Sequence, residues 1–315
     1  MPDLAIIGAG IMGANHGRVA RAVKDLNPTI VCDPDEDRAA ALASSIGAKY
    51  TTDVDEAITA CDAVILATPS HTHGDIGERV LKAGRDLLVE KPIAITLEDG
   101  RRLIDAARTH DRVLMVGHVE RFNPAVVEIE SLIDDPIAIE ITRVGPFSSR
   151  VLADVVLDLM IHDIDLARAL ARSEVVKHHS VTRVVRSGEQ DLACALLLFE
   201  NGVAANITAS RVSQNKIRRI TVTQRDNSVV ADLLRQQVEV HRIEHSEFLA
   251  EGGVKYRQSG LVEIPYLSQY GEPLMHELSH FARCLVDRTQ PKVSGEDGLA
   301  ALRVCLELRD SATAG

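Results

Sequence analysis

Asp158 and His162 stand four positions apart. On a helix that spacing puts two side chains on one face, so both can point into one cleft while Leu159 and Ile161 pack elsewhere. Imidazole is the side chain best suited to proton exchange near neutrality. Lys91 lies between an apolar run and Pro92, a stiff position for a side chain meant to wave in solvent. At a strand end in a half-buried cleft, its ammonium could be held against an oxygen and stabilise charge as an alcohol loses its proton.

A second group of residues reads as an anion receptor. Gly8-Ala9-Gly10-Ile11-Met12-Gly13 spells GxGxxG directly after an apolar strand and at the start of a helix. There the first glycine makes a tight turn, the second admits a pyrophosphate against the backbone, and the third lets the helix pack closely. The helix amino terminus offers free amides and a positive dipole end to the phosphates. Asp33, twenty positions after Gly13 (33 − 13), can accept hydrogen bonds from ribose hydroxyls; capping the following helix is its other reading. The acidic stretch Asp33, Asp35, Glu36, Asp37 repels a 2′-phosphate, with only Arg38 to offset it, which favours NAD over NADP.

The segment Ala67-Thr68-Pro69-Ser70-His71-Thr72-His73 follows another apolar run, at the sheet edge where ligands of open α/β folds bind. Its two histidines fit a ligand-facing or a solvent-facing loop equally. His276-Glu277-Leu278-Ser279-His280 satisfies HExxH, in which two histidines one turn apart bind zinc and a glutamate activates water. No third ligand announces itself, Glu296 being the best of weak candidates, so no metal is expected.

These residues need elements to hold them. Over the first 117 residues, short unalternating apolar runs (4–7, 29–32, 63–67, 87–89 and 113–116) alternate with helix-length stretches such as 35–46 and 97–109. That is the βαβ rhythm of a doubly wound parallel sheet, a Rossmann domain. After about Arg121, longer alternating strands at 138–144, 181–186, 194–199, 203–210, 217–223 and 238–243 point to an α+β domain with a large, mainly antiparallel open sheet. Glu200-Asn201-Gly202 reads as a hairpin whose Asn-Gly pair takes the positive φ angles of a primed turn. Helices are expected at 272–286 and 296–309. The expected division is a dinucleotide-binding domain over 1–120 and a domain for substrate binding and oligomerisation over 121–315.

With Val89-Glu90-Lys91-Pro92, the glycine motif and Thr68-Pro69, the chain resembles the Gfo/Idh/MocA oxidoreductases over nearly its whole length. The resemblance implies an NAD(P)-dependent enzyme acting on CH–OH groups, with Lys91 beside the nicotinamide and Asp158-Leu159-Met160-Ile161-His162 matching the family's DxxxH. It implies His162 as general acid/base and Asp158 as a partner that orients it or binds the reacting hydroxyl. The implied cofactor-binding set is Gly8, Gly10, Ile11, Met12, Gly13, Asp33, Thr68, Pro69, His73, Glu90 and Lys91, with NAD as the cofactor. Many relatives carry a glycine pair shortly before DxxxH, whereas this chain has Ala153-Asp154-Val155-Val156. The stretches 117–124, 158–165 and 272–281 are similar to members acting on nucleotide-linked amino sugars. For those, the implied reaction is oxidation at C3 of UDP-N-acetylglucosamine or a close nucleotide sugar, the alternative being inositol or another free polyol or sugar. Arg121 and Asn123 could contact such a substrate or pack at the domain junction.

The net charge of −11, from 35 basic and 46 acidic residues, argues against nucleic acid as a partner. Five cysteines, odd in number and without a CxxC pair, suggest neither a disulfide framework nor a thiolate zinc site. With no basic leader and no bilayer-length apolar run, a cytoplasmic protein without a membrane partner is expected, and Asn206-Ile207-Thr208 reads as a chance sequon. A homo-dimer or homo-tetramer is expected from the open sheet. Joint retention of Lys91, Asp158 and His162 argues against a non-catalytic dinucleotide or sugar sensor.

Overall fold

Residues 4–6, 64–66 and 87–89 are 0% exposed, so the strands they form carry no polar face and must be covered on both sides. Each buried Val, Leu or Ile contributes about 1.5–3 kcal/mol relative to exposure. The computed structural model describes residues 1–148, 153–250 and 253–314. Within them, β1 (Asp3–Ile7), β2 (Asn27–Cys32), β3 (Lys49–Thr51), β4 (Ala63–Leu66), β5 (Asp86–Glu90) and β6 (Leu114–Gly117) form one parallel sheet. Its order is β3-β2-β1-β4-β5-β6, the Rossmann order, with the switch point between β1 and β4.

The helices of this sheet are α1 (Ile11–Ala20), α2 (Glu36–Ile46), α3 (Val54–Thr59), α4 (His73–Lys82) and α5 (Leu97–Thr109). Three of them start on a side-chain cap: Asp35 accepts from the Arg38 amide, Asp53 from Asp55 and Thr96 from Asp99. Each such cap is worth about 1 kcal/mol. The α1 helix starts on Gly10 with no side-chain cap and no acid in its first turn.

The second sheet is built from β7 (Pro136–Val144), β8 (Val175–Arg183), β9 (Leu192–Phe199), β10 (Ala204–Ser210), β11 (Ile217–Gln224), β12 (Asn227–Asp232), β13 (Gln237–Ala250), β14 (Gly253–Glu263) and the two-residue β15 (Thr313–Ala314). The order is β14-β13-β12-β11-β7-β10-β9-β8-β15. All neighbours are antiparallel except β7 with β10 and β8 with β15. Helices α6 (Pro124–Leu132) and α7 (Ile161–Ala171) accompany it, and α8 (Pro273–Asp287) and α9 (Gly295–Ser311) close the chain. Among the described residues, no helix is long and apolar enough to cross a membrane.

Three expectations are corrected here. The strand expected at 181–186 instead spans 175–183, because Asp191 draws the next turn around itself, accepting the amides of Val185, Arg186 and Ser187 at 2.6–3.0 Å. In the β9–β10 hairpin only Gly202 takes a positive φ, of 89°. Asn201 instead donates its side-chain amide to the Ala171 carbonyl and accepts from the Val203 amide, giving a three-residue loop rather than a primed pair. The chain also divides differently from 1–120 and 121–315. One compact unit comprises Met1–Phe122 with Gly271–Arg303, the other Asn123–Tyr270 with Val304–Gly315. Residues 271–303 return to the first unit because that unit needs them: the Val116 amide donates to the Val293 carbonyl at 3.1 Å, and Met115 bridges to Ser294.

Candidate functional site

In the first unit the three glycines occupy three different environments. Gly8 has φ +101°, and a Cβ on it would lie 2.5 Å from the Ala67 carbonyl oxygen, so the turn after β1 presses against the end of β4. A Cβ on Gly13 would lie 1.8 Å from the Gly8 carbonyl oxygen. Around Gly10 a Cβ would meet nothing within 4 Å. That open space sits over the uncapped start of α1, whose first amides have no partner within the helix. A phosphate fits such a place by charge and by geometry. Ile11 and Met12 at its rim are 65% and 36% exposed.

Asp33, at the end of β2, accepts the Ala9 amide at 2.7 Å with one oxygen and the Asp35 amide at 2.9 Å with the other. It ties the glycine turn to the second strand, and each oxygen keeps a lone pair for a ribose hydroxyl. Capping of α2 falls to Asp35, whose carboxylate also takes the Arg38 guanidinium at 2.7 Å. Arg38 is thus committed to an acid and poorly placed to greet a 2′-phosphate. These features fit NAD.

Thr68 and Pro69 follow β4 on the other side of the switch point, where Thr68 and Thr72 share a hydroxyl hydrogen bond of 2.7 Å. His71 is exposed on the following 3₁₀ turn. His73 is fully buried: Nε2 lies 3.0 Å from the Thr68 carbonyl and Nδ1 2.9 Å from the Pro92 carbonyl. A neutral ring can donate to only one of them, and burial pushes this imidazole below its ordinary pKa. His73 therefore braces two loops from within and offers no surface to a cofactor.

Glu90, expected to touch the cofactor, is also turned inward. It is 7% exposed, with Oε1 2.7 Å from Nε2 of the fully buried His16 on α1 and Oε2 accepting the Lys91 amide at 3.2 Å. Burial pushes its carboxyl up, but His16 and Lys91 outweigh that and hold it below the usual range. Lys91, next along, is half-buried at the end of β5. Beneath them lies Glu277 on α8, 0% exposed, with no hydrogen-bond partner for either oxygen among the described residues. Burial, and secondarily the charge of Glu90, raise its carboxyl well above the usual range.

Of the HELSH segment, Glu277 and Leu278 are buried and His276, Ser279 and His280 are partly exposed. His280 accepts the Lys292 amide at 2.8 Å on Nε2, and its ring lies 5.4 Å from that of Phe122. Among the described residues no group of three or more His, Cys, Asp or Glu is arranged to hold a metal. The five cysteines are free thiols.

In the second unit, Asp158 lies in a π-helical turn, Val156–Met160, that runs straight into α7, where His162 sits. A single π turn inside a helix is frequent at functional sites. Asp154 starts the turn, its carboxylate accepting the amides of Val156 and Leu157 at 2.9 and 3.0 Å. That is what the residues standing in place of a glycine pair do. Asp158 and His162 are both partly exposed while Ile161 is buried, but of the two only Asp158 lines the cavity found on this unit.

Asp158 lines a cavity of about 300 Å³ with Leu159, Ser210, Arg211, Lys216 and Arg218, and with Arg143. Arg143 is spent on a buried ion pair, its Nε donating to Asp163 at 2.8 Å. The Arg211 guanidinium is 3.9 Å from the Asp158 carboxylate. The basic members went unnoticed in the sequence. The signal was there: Arg211, Lys216, Arg218 and Arg219 crowd nine residues of an acidic chain. Asn123, by contrast, is 2% exposed, caps α6 through the Ala125 amide and donates to the Leu233 carbonyl at 3.1 Å, so it packs rather than meeting a substrate. Arg121 is half-buried in the first unit, its carbonyl taken by Lys292 at 3.0 Å.

Residues 3–118 match the model of the oxidoreductase family with an NAD-binding Rossmann fold, GFO/IDH/MocA, and residues 145–230 match a GFO/IDH/MocA C-terminal domain. The chain is 32% identical over 238 residues, 75% of either protein, to the UDP-N-acetylglucosamine 3-dehydrogenase of Acidithiobacillus ferrooxidans. A solved structure of that enzyme superposes with a TM-score of 0.89 over 99% of this chain and 97% of that one, at 28% identity. The scyllo-inositol 2-dehydrogenase (NAD(+)) of Bacillus subtilis is 28% identical over 329 residues, 98% of this chain and 93% of that protein.

Proposed function

The chain belongs to the Gfo/Idh/MocA family of NAD-binding oxidoreductases, and on that premise we propose that it oxidises a secondary hydroxyl of a nucleotide sugar, C3 of UDP-N-acetylglucosamine or a close relative. The observation that carries this reading is that Asp158 lines a cavity rich in cationic side chains, which suits an anionic sugar derivative better than a neutral polyol.

NAD, when bound, supplies the hydride acceptor. The chain's own groups handle the other half of the bond. His162 takes the hydroxyl proton, Asp158 holds the ring or the hydroxyl in place, and the Lys91 ammonium stabilises the oxygen as its O–H bond breaks. The alcohol loses a hydride and a proton and becomes a ketone. The Gly8–Gly13 turn and Asp33 hold the dinucleotide at the carboxyl ends of β1 and β2. The same reading carries a reducing, cytoplasmic setting, in which the free thiols persist, and a homo-oligomer formed through the outer face of the second sheet, where Leu196 and Leu198 are 58% and 37% exposed.

Catalytic efficiency with UDP-N-acetylglucosamine, UDP-glucose, free N-acetylglucosamine and myo-inositol, read as NADH absorbance, tests the proposal. The nucleotide sugars should lead. If myo-inositol or the free sugar outperforms both, the enzyme is a polyol dehydrogenase, a reading that the inositol-dehydrogenase relative also supports.

A further inference from the structure

The chain carries a net charge of −11, yet one cavity of the second unit gathers Arg143, Arg211, Lys216 and Arg218 around the single acid Asp158. Arg143 is neutralised by Asp163 behind it. Arg211 is the most telling of them. It is 6% exposed, its nearest carboxylate is 3.9 Å away and so beyond hydrogen-bond reach, and its Nε and Nη2 have no hydrogen-bond partner. A buried guanidinium left in that state is costly unless something else comes to meet it.

Lys216 and Arg218 follow Arg211 within seven residues, at the far end of the β10–β11 loop and at the start of β11, and Lys216 is exposed. A lone carboxylate would be served by one arginine. Two arginines and a lysine spread along one loop and the strand it enters suit an extended anion such as a diphosphate instead.

We propose that Arg211, Lys216 and Arg218 form a subsite for the diphosphate of a nucleotide-linked sugar, beside the Asp158 that faces the reacting end. The inference rests on the nucleotide-sugar reading above and adds to it the residues that select the substrate class. Each phosphate of such a diester carries one negative charge. A cavity of about 300 Å³ is at the small end for a ligand site, room for a hexose and its phosphates with the nucleoside beyond. Held there, the diphosphate would use binding energy remote from the chemistry to fix the reacting carbon.

The test uses Lys216→Ala and Arg218→Ala, which change exposed or partly exposed groups, with Lys216→Arg as the conservative partner. UDP and inorganic pyrophosphate are titrated calorimetrically into enzyme saturated with NADH, so that the dinucleotide site is already filled. UDP should bind the wild type and weaken tenfold or more in each alanine variant. KM for UDP-N-acetylglucosamine should rise in step while kcat falls far less, and Lys216→Arg should recover most of the loss. NADH affinity and melting temperature should not move. Should both alanine variants keep UDP affinity and KM within threefold while the wild type turns over UDP-N-acetylglucosamine, the subsite is wrong and the functional reading stands. Should the wild type neither bind UDP nor oxidise any nucleotide sugar, yet oxidise myo-inositol, the functional reading fails and the subsite falls with it.

Discussion

The two units prepare for charged ligands by opposite means. At the start of α1 the receptor is main chain: an uncapped helix end, an open space over Gly10, and two other glycines that exist to let backbone touch backbone. In the cavity beside Asp158 the receptor is side chain, contributed by β7, the end of β10 and the start of β11. A main-chain receptor binds what every dinucleotide shares and leaves little to vary, because each glycine is fixed by a steric limit. A side-chain receptor can be retuned one residue at a time. One family can thus hold its cofactor constant while its members are named for different substrates, as the nucleotide-sugar and inositol dehydrogenases are.

If this division of labour holds, the chemistry can be removed without loosening the cofactor. Lys91→Met and His162→Asn should each cut turnover by about 100-fold to 10,000-fold, the range for positioned proton-transfer groups, with NADH affinity nearly unmoved. A loss below about threefold in both variants would break the assignment, by the same yardstick.

A sharper probe separates the glycines themselves. Gly13→Ala forces a Cβ against the Gly8 carbonyl and should destabilise the first unit by about 3 kcal/mol or more, read as a lowered melting temperature in the absence of cofactor. Gly10→Ala should leave that temperature within about 0.5 kcal/mol of the wild type, yet weaken NADH severalfold by filling the approach to the phosphates. Equal NADH affinity in Gly10→Ala would mean that the dinucleotide does not use that space.

The smallest effect expected is at Glu277. Its carboxyl is raised in the folded state, so its contribution is fully present below the ordinary carboxylate range and is lost as pH rises through the folded value. Glu277→Gln carries no such proton and should gain on the wild type as pH rises above the ordinary carboxylate range, by at most about 1.4 kcal/mol per pH unit. Melting curves across that rise would show it. A gap that stays constant with pH would mean that Glu277 is ionised in the folded protein.

The parts of the molecule legible in the sequence are those whose cause is local. The runs that became β1, β4 and β5 are apolar on both faces, and the glycine motif sits in a single turn, so each declares itself within a few residues. What was not legible depends on which way a side chain turns and on what meets it from far along the chain. His73 and Glu90 adjoin the expected cofactor surface in sequence, but one is clamped between the Thr68 and Pro92 carbonyls and the other is drawn inward by His16. Asn123 is spent on a cap and on the Leu233 carbonyl, 110 positions away. The cationic cavity collects residues from 143 to 218. That the glutamate of HELSH would be fully buried with no hydrogen-bond partner among the described residues could not be foreseen.

The return of residues 271–303 to the first unit has a consequence for the chain as it is made. When Phe122 leaves the ribosome, strand β6 has formed its last link in the parallel sheet but still lacks the segment that meets it at Val293 and Ser294. The 148 residues from 123 to 270 must be synthesised first, which takes roughly 7 to 30 s at about 5–20 residues per second. During that interval Met115 and Val116, both fully buried in the finished fold, lack part of their cover. A fragment cut at residue 120 lacks that cover and is a poor surrogate for the first unit.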